Sequence, residues 1–233
     1  MQDLNLGCPQ DRAYQDHYGS FLLDKTDWPL VSSIVESMAA ATTLPIFCKI
    51  RLLPKLEDTI RFCQLLEKSG ASLIAVHGRM RKSTKKRRDG PADLDAIREI
   101  VKHIHVPIVS NGNISTPQDV DANLQHTDAA GIMSAEAVLC NPSIFAGEDS
   151  HRCPRKTHDN LFRYLDLAEK YPPPSFKYVQ DHVSNLLGRS GRGRQIQYTY
   201  RGPYKPIALK KKIFEMSTSI EDLRSLVAEV FPE

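Results

Sequence analysis

No apolar run in this 233-residue sequence approaches the roughly 20 residues that span a bilayer, and no charged-then-apolar leader precedes Asp3. A membrane protein and a secreted one are therefore not expected; a cytoplasmic setting is, with the nucleus as the alternative. Cysteine is scarce and scattered: Cys8, Cys48, Cys63, Cys140 and Cys153 are odd in number, and none forms a C-x-x-C pair. That spacing speaks against a zinc site, a redox pair or a disulfide framework, and suits a reducing compartment. Hairpin turn pairs between apolar segments are missing, as is any G-x-G-x-x-G after a strand, so an antiparallel β-fold and a dinucleotide fingerprint are both disfavoured. Charge is nearly balanced at +3, but unevenly distributed. Residues Arg79 to Arg88 form a dense basic run, and every charged residue from Gly188 to Lys212 is basic. Such clusters attract nucleic-acid phosphates, a solvated loop being the plainer reading.

Five short segments rich in branched apolar residues recur along the chain: Asp3–Leu6, Pro45–Arg51, Ser72–His77, Val106–Asn111 and Ala129–Ser134. Between them, Asp27–Ala41, Glu57–Lys68, Ala92–His103 and Pro117–Leu124 carry helical periodicity, the last opening on a cap-like Ser-Thr-Pro. Strand and helix alternate, which predicts parallel βα units and an α/β fold. Each strand closes on polar residues, and five decorated strand ends favour a TIM-type (β/α) barrel over a doubly wound sheet with one switch point. Five units do not close a barrel. The chain is therefore expected to hold strands 4 to 8, with Met1 standing in place of upstream sequence and two apolar edges inviting a second copy or a partner chain.

The pattern changes near residue 150. Thr157–Tyr171, Ser175–Leu187 and Thr218–Phe231 read as helices, the last with Thr218 and Glu221 spaced as a capping box. The expected organisation is a partial barrel over residues 1–150 and a small helical domain over 151–233, with a mobile basic loop near 188–212.

Several strand-end residues carry chemistry. In Phe47-Cys-Lys-Ile-Arg51, alternation puts Phe47, Lys49 and Arg51 on one face and Cys48 and Ile50 on the other. If the apolar pair meets the helices, Lys49 points into the barrel, where an ammonium needs an anionic or carbonyl-rich partner; a structural ion pair is the rival explanation. His77 ends the next strand, followed by Gly78 and Arg79. Asn111-Gly-Asn113 and Ser134-Ala-Glu136 follow the last two strands, where barrels that bind phosphate commonly do so. Four of the cysteines are expected to be inert packing. Cys8 differs because it follows a strand end and Gly7 and is fixed by Pro9, and a thiol of ordinary acidity is protonated at neutral pH and can donate a proton.

Taken in order, DLNLGCPQ, HYGSFL, CKIRL, VHGR, VSNGNI and GIMSAEAVLCNPSIF resemble the tRNA-dihydrouridine synthases, over roughly residues 2 to 147. The GCPQ with HYGSFL, and SAE in place of a Gly-Arg pair, most resemble the eukaryotic branch that acts on the neighbouring D-loop uridines 16 and 17. The resemblance implies a barrel with FMN at its mouth, reduced by NADPH. A hydride then goes to C6 of a tRNA uracil while a cysteine protonates C5. It implies Cys8 as that proton donor, Asn5 near the uracil, and Lys49 and His77 on the flavin. Asn111, Gly112, Asn113, Ala135 and Glu136 would surround the phosphate, and Arg51 and Arg79 would help place the RNA. The basic stretches fit an enzyme that must hold RNA while a base is swung out. Two rivals remain: a catalytically impaired tRNA-binding remnant of that family, and a different phosphate-binding barrel enzyme with no use for Cys8.

Overall fold

The computed structural model describes residues 1–81, 90–147, 154–187 and 206–231. They fall into two compact units: Met1–Ile114 with Asp119–Ser134, and Ser115–Gln118 with the chain from Ala135 onward. The change of unit thus comes at Ser134/Ala135, ahead of the position near 150 expected from composition.

The first unit alternates as the apolar periodicity requires. Strands β1 (Gln2–Asn5), β2 (Ile46–Leu52), β3 (Ala71–Met80), β4 (Ile108–Asn111) and β5 (Gly131–Met133) are joined by helices α2 (Trp28–Ala41), α3 (Leu56–Lys68), α4 (Leu94–Val101) and α5 (Pro117–Thr127). The short α1 (Asp11–Gln15) and two 3₁₀ turns, Gly19–Leu23 and Lys25–Asp27, lie between β1 and α2. All five strands are parallel, in the order β1-β2-β3-β4-β5, so the sheet never reverses direction of winding. Right-handed crossovers in such an order deliver every connecting helix to the same face.

Burial follows from that. Ile46, Cys48, Ile50 and Leu52 of β2 are buried while Phe47, Lys49 and Arg51 between them are only half-buried. Ile74 and Val76 of β3 and Ile108 of β4 join the buried set, packed with Phe62 and Leu66 of α3 and Ile97 and Ile100 of α4. In α3, the buried Thr59, Phe62, Cys63 and Leu66 recur at the three- and four-residue spacing of one helical face. Gly70 then ends the helix at φ +107°, and a Cβ there would lie 2.9 Å from that of Ala39. Asp93 caps α4 by accepting the Ala96 N–H at 2.8 Å.

The second unit holds α6 (Glu136–Cys140), α7 (Pro154–Lys170), α8 (Phe176–Leu186), α9 (Pro206–Lys211) and α10 (Ile220–Val230). Leu161 and Leu165, Val179 and Val183, Leu209 and Ile213, and Leu223 and Val227 form its core. Part of the expected basic loop is therefore ordered. Residues 188–205 lie outside the described residues, but from Pro206 the chain is helical and passes into a π-helical turn, Lys212–Met216. Leu209 and Ile213, four apart, bury one side of it, and the Gln180 amide donates to the carbonyls of Ile213 (2.8 Å) and Ser217 (3.0 Å). Among the described residues no helix is long and apolar enough to cross a membrane.

The capping box of α10 is shifted by one residue from the expected Thr218/Glu221 pair. Ser219 accepts the Asp222 N–H at 3.1 Å, and Asp222 accepts the N–H groups of Ser219 at 3.0 Å and Thr218 at 2.7 Å. Both registers fit the sequence pattern; the shorter Asp222 reaches two orphan donors, and the Thr218 N–H foremost holds its carboxyl below the usual carboxylate range. Ser219→Ala should therefore lower the unfolding free energy by about 1 kcal/mol, measured in urea by circular dichroism. Thr218→Ala should cost less than half of that, and the reverse ranking would refute this register.

Candidate active site

A parallel ladder sets register partners side by side on one face, and here it assembles most of the residues of interest. Asn5 pairs with Lys49, Lys49 with Ala75, and Ala75 with Val109. One layer further along, Arg51 pairs with His77, His77 with Asn111, and Asn111 with Met133. Both rows lie on the face opposite the core helices. The alternation read from CKIR is thus present in three dimensions, with Lys49 and Arg51 turned away from Cys48 and Ile50.

The layers meet at the loop after β1. Asn5 Oδ1 accepts the Gly7 N–H at 3.0 Å, the Leu6 N–H donates to the Lys49 carbonyl at 2.8 Å, and Arg51 Nε donates to the Gly7 carbonyl at 2.7 Å. A Cβ built on Gly7 would stand 3.5 Å from Asn5 Oδ1 and 3.6 Å from Lys49 Nζ. The lysine ammonium therefore sits against the residue preceding Cys8. Burial, and secondarily the charge of Arg51, push Lys49 from its ordinary 10.5 down to about 8, Asp3 pulling the other way. Among the described residues nothing hydrogen-bonds or ion-pairs with this ammonium.

Cys8 is the partly exposed member among the described cysteines. Burial pushes Cys48 up to about 12 and Cys140 to about 11, and raises Cys63 further, so these three thiols are inert, as expected. Cys153 lies outside the described residues. The Cys8 carbonyl is held twice by Ser20, from its N–H at 3.0 Å and its hydroxyl at 2.9 Å. Gly19 has φ +63°, and a Cβ on it would collide at 2.9 Å with both Cys8 Cβ and the Cys8 carbonyl. HYGSFL accompanies GCP because its glycine and serine are the surface on which the cysteine rests. Motif order alone does not disclose that reason.

His77 Nε2 lies 3.2 Å from Arg79 Nη1 and must accept there, since a guanidinium only donates. Arg79 also donates to the Gly90 carbonyl at 3.0 Å and to Asn113 Oδ1 at 2.9 Å. Asn113, at φ +59°, exchanges hydrogen bonds with both backbone groups of Ala92, at 2.8 and 3.0 Å. Gly112 has φ +127°, and a Cβ there would reach within 2.6 Å of that of Ala92. Asn111 Nδ2 donates to the Met133 carbonyl at 2.8 Å. Ala135 and Glu136 belong to the second unit, where Glu136 opens α6. The HGR residues lie within β3, which runs on to Met80 rather than ending at His77, with a ladder irregularity between Arg51 and Leu52. Of the basic run, residues 82–89 lie outside the described residues. Arg81 donates to the Ser20 carbonyl and to Asp24, a role that its place in that run gave no hint of.

A family model for dihydrouridine synthase (Dus) matches residues 2–217. A mouse protein named as tRNA-dihydrouridine(16/17) synthase, NAD(P)(+)-like, is 39% identical over 184 residues, or 79% of this chain and 37% of its own length. The Schizosaccharomyces pombe tRNA-dihydrouridine(16/17) synthase is 39% identical over 195 residues, or 79% of this chain and 48% of its own. A 20a/20b synthase of the same yeast is 40% identical over 82% of this chain and 56% of its own length. The chain thus spans between about two fifths and just over half of these relatives. The match covers all five strands and both arms of the Cys8 loop, and the chain belongs to the dihydrouridine synthase (Dus) family.

Proposed function

We propose that this chain carries the active site of an FMN-dependent tRNA-dihydrouridine synthase, reducing uridine to 5,6-dihydrouridine in the tRNA D-loop with NADPH as reductant. Its relatives are named as tRNA-dihydrouridine(16/17) synthases with NAD(P)(+). The five-stranded, singly wound sheet is read as strands 4 to 8 of a (β/α)8 barrel, whose mouth is the strand-end layer holding Arg51, His77 and Asn111. The observation that carries the reading is the Lys49 ammonium, half-buried, unpartnered among the described residues and seated against Gly7 beside Cys8.

These residues fit a flavin. An ammonium with depressed pKa and, among the described residues, no acceptor suits an electron-rich ring edge that gains negative charge. Lys49 and His77 would hold the ring, with Asn111, Gly112 and Asn113 as the residues after β4 nearest a phosphate. Bound FMN would supply the hydride delivered to uracil C6. Cys8 gives its thiol proton to C5 and regains one from solvent, while Asn5 orients the uracil. Arg51 and Arg79 order the loops on which the RNA docks, through Gly7, Gly90 and Asn113.

Visible absorption of the purified chain after FMN incubation and desalting tests the reading first. A yellow protein is the expected outcome; a colourless one, beside a flavin-retaining relative, would overturn it and leave tRNA binding as the rival. Cys8→Ala should keep the flavin yet lower dihydrouridine formation on unmodified tRNA by a factor of about 10²–10⁴.

Lys49 gives a second test with a definite sign. Its folded pKa of about 8 lies below its ordinary 10.5, so between those values the unfolded chain binds more protons and flavin-free stability rises with pH. Lys49→Met should remove that rise, increase the melting temperature at pH 7 by about 2–8 °C and weaken FMN binding at least tenfold. An unchanged pH profile would show that the ammonium is not stressed in the folded chain.

A further inference from the structure

One cation at this end of the sheet is engaged with a loop rather than with the proposed site. Arg81 follows β3 directly, and its three contacts converge on the turn Gly19–Leu23 and on Asp24, which ends it. Nη1 donates to the Ser20 carbonyl at 2.8 Å, and Nη2 donates to both oxygens of Asp24 at 2.8 and 3.1 Å. The guanidinium also lies over the Phe21 ring, 4.7 Å from its centroid. Phe21 meets Tyr14 of α1 edge-on at 5.2 Å, so the turn and the short helix that follow Cys8 are tied to the same point. The Arg81–Asp24 pair is too exposed, at 27% and 52% of the two side chains, to count for much as an ion pair. Its value is geometric: a planar fork meets a carbonyl, a carboxylate and a ring face at once, which a lysine cannot do.

We propose that Arg81 is a positioning residue for Cys8, acting through Ser20. The same Ser20 whose carbonyl Arg81 holds gives both its N–H and its hydroxyl to the Cys8 carbonyl, and Gly19 rests on Cys8 Cβ. Each link in the path from the end of β3 to the Cys8 carbonyl is a direct contact. Releasing Arg81 frees the turn, and with it the backbone that aims the sulfur. The consequence for catalysis rests on the reading of Cys8 as proton donor; the consequence for the thiol's accessibility does not.

The test uses the full chain with Cys153→Ser, so that Cys8 is the reactive thiol, and follows its alkylation by iodoacetamide. Arg81→Met should raise the rate at least tenfold, Arg81→Lys should fail to restore it, and Ser20→Ala should give a smaller rise. Because Ser20 lies downstream, Arg81→Met with Ser20→Ala together should react no faster than Arg81→Met alone. In the flavin-loaded enzyme, Arg81→Met should lower kcat for uridine reduction at least tenfold, with KM for tRNA and the flavin spectrum unchanged. Alkylation within twofold of the parent for Arg81→Met, or additive effects in the double variant, would overturn the proposal. Full activity in Cys8→Ala would instead refute the reading of Cys8, leaving the alkylation result to decide the clamp alone.

Discussion

Everything at the candidate site depends on the in-register parallel ladder. Because side chains alternate and partners align, a single constraint on β2, that Ile46, Cys48, Ile50 and Leu52 be buried under helices, turns Lys49 and Arg51 to the opposite face. The ladder then carries that choice sideways, aligning Asn5 with Lys49 and His77 and Asn111 with Arg51. A slip of one residue would send the lysine into the core and the apolar row into water. The chemistry is therefore held in place by hydrophobic burial on the other side of the sheet, and not by attraction among the polar residues. Lys49 shows this plainly, since its own protonation is opposed by the position it occupies.

That dependence explains how much was legible. The five strands, the four connecting helices and the facing of Lys49 follow from local periodicity, and periodicity is a property of the sequence itself. Cys48, Cys63 and Cys140 are readable as packing because cysteine is among the most buried residue types. What periodicity does not carry is which partner a long polar side chain finds across the fold. Arg51 donates to Gly7, and Arg79 joins Gly90, His77 and Asn113, partners that no local pattern names. The Asn113 amide likewise closes on Ala92. The one-residue shift in the α10 cap belongs here too, because two overlapping patterns satisfied the same rule. The helix from Pro206 was hidden by its neighbours: Gly, Arg and Pro just before it masked the Leu209–Ile213 spacing.

The glycines mark where loops and strand ends press together. Gly19 against Cys8, Gly112 against Ala92 and Gly78 against the Asp93 carbonyl all leave no room for a Cβ, at 2.9, 2.6 and 2.9 Å. Irregular backbone in such places strands carbonyl groups that no ladder can satisfy. Donors must come from side chains, and the carbonyls of Gly7, Ser20 and Gly90 are all met by arginine.

This gives the basic character of these strand ends a cause independent of nucleic acid. An arginine suits the task because its stem is long, its fork supplies several donors, and it stays charged where a lysine would lose its proton. Donating to a neutral carbonyl does not neutralise a guanidinium; Arg81 also reaches the Asp24 carboxylate. Arg51 and Arg79 fix their loops through such bonds while each carries a positive charge. The same charge bears on Lys49, whose acidity Arg51 increases from the next position on its face. Ordering the Gly7–Cys8 loop and priming the neighbouring lysine for an electron-rich partner are thus two effects of one side chain, reached through its hydrogen bond in one case and its field in the other.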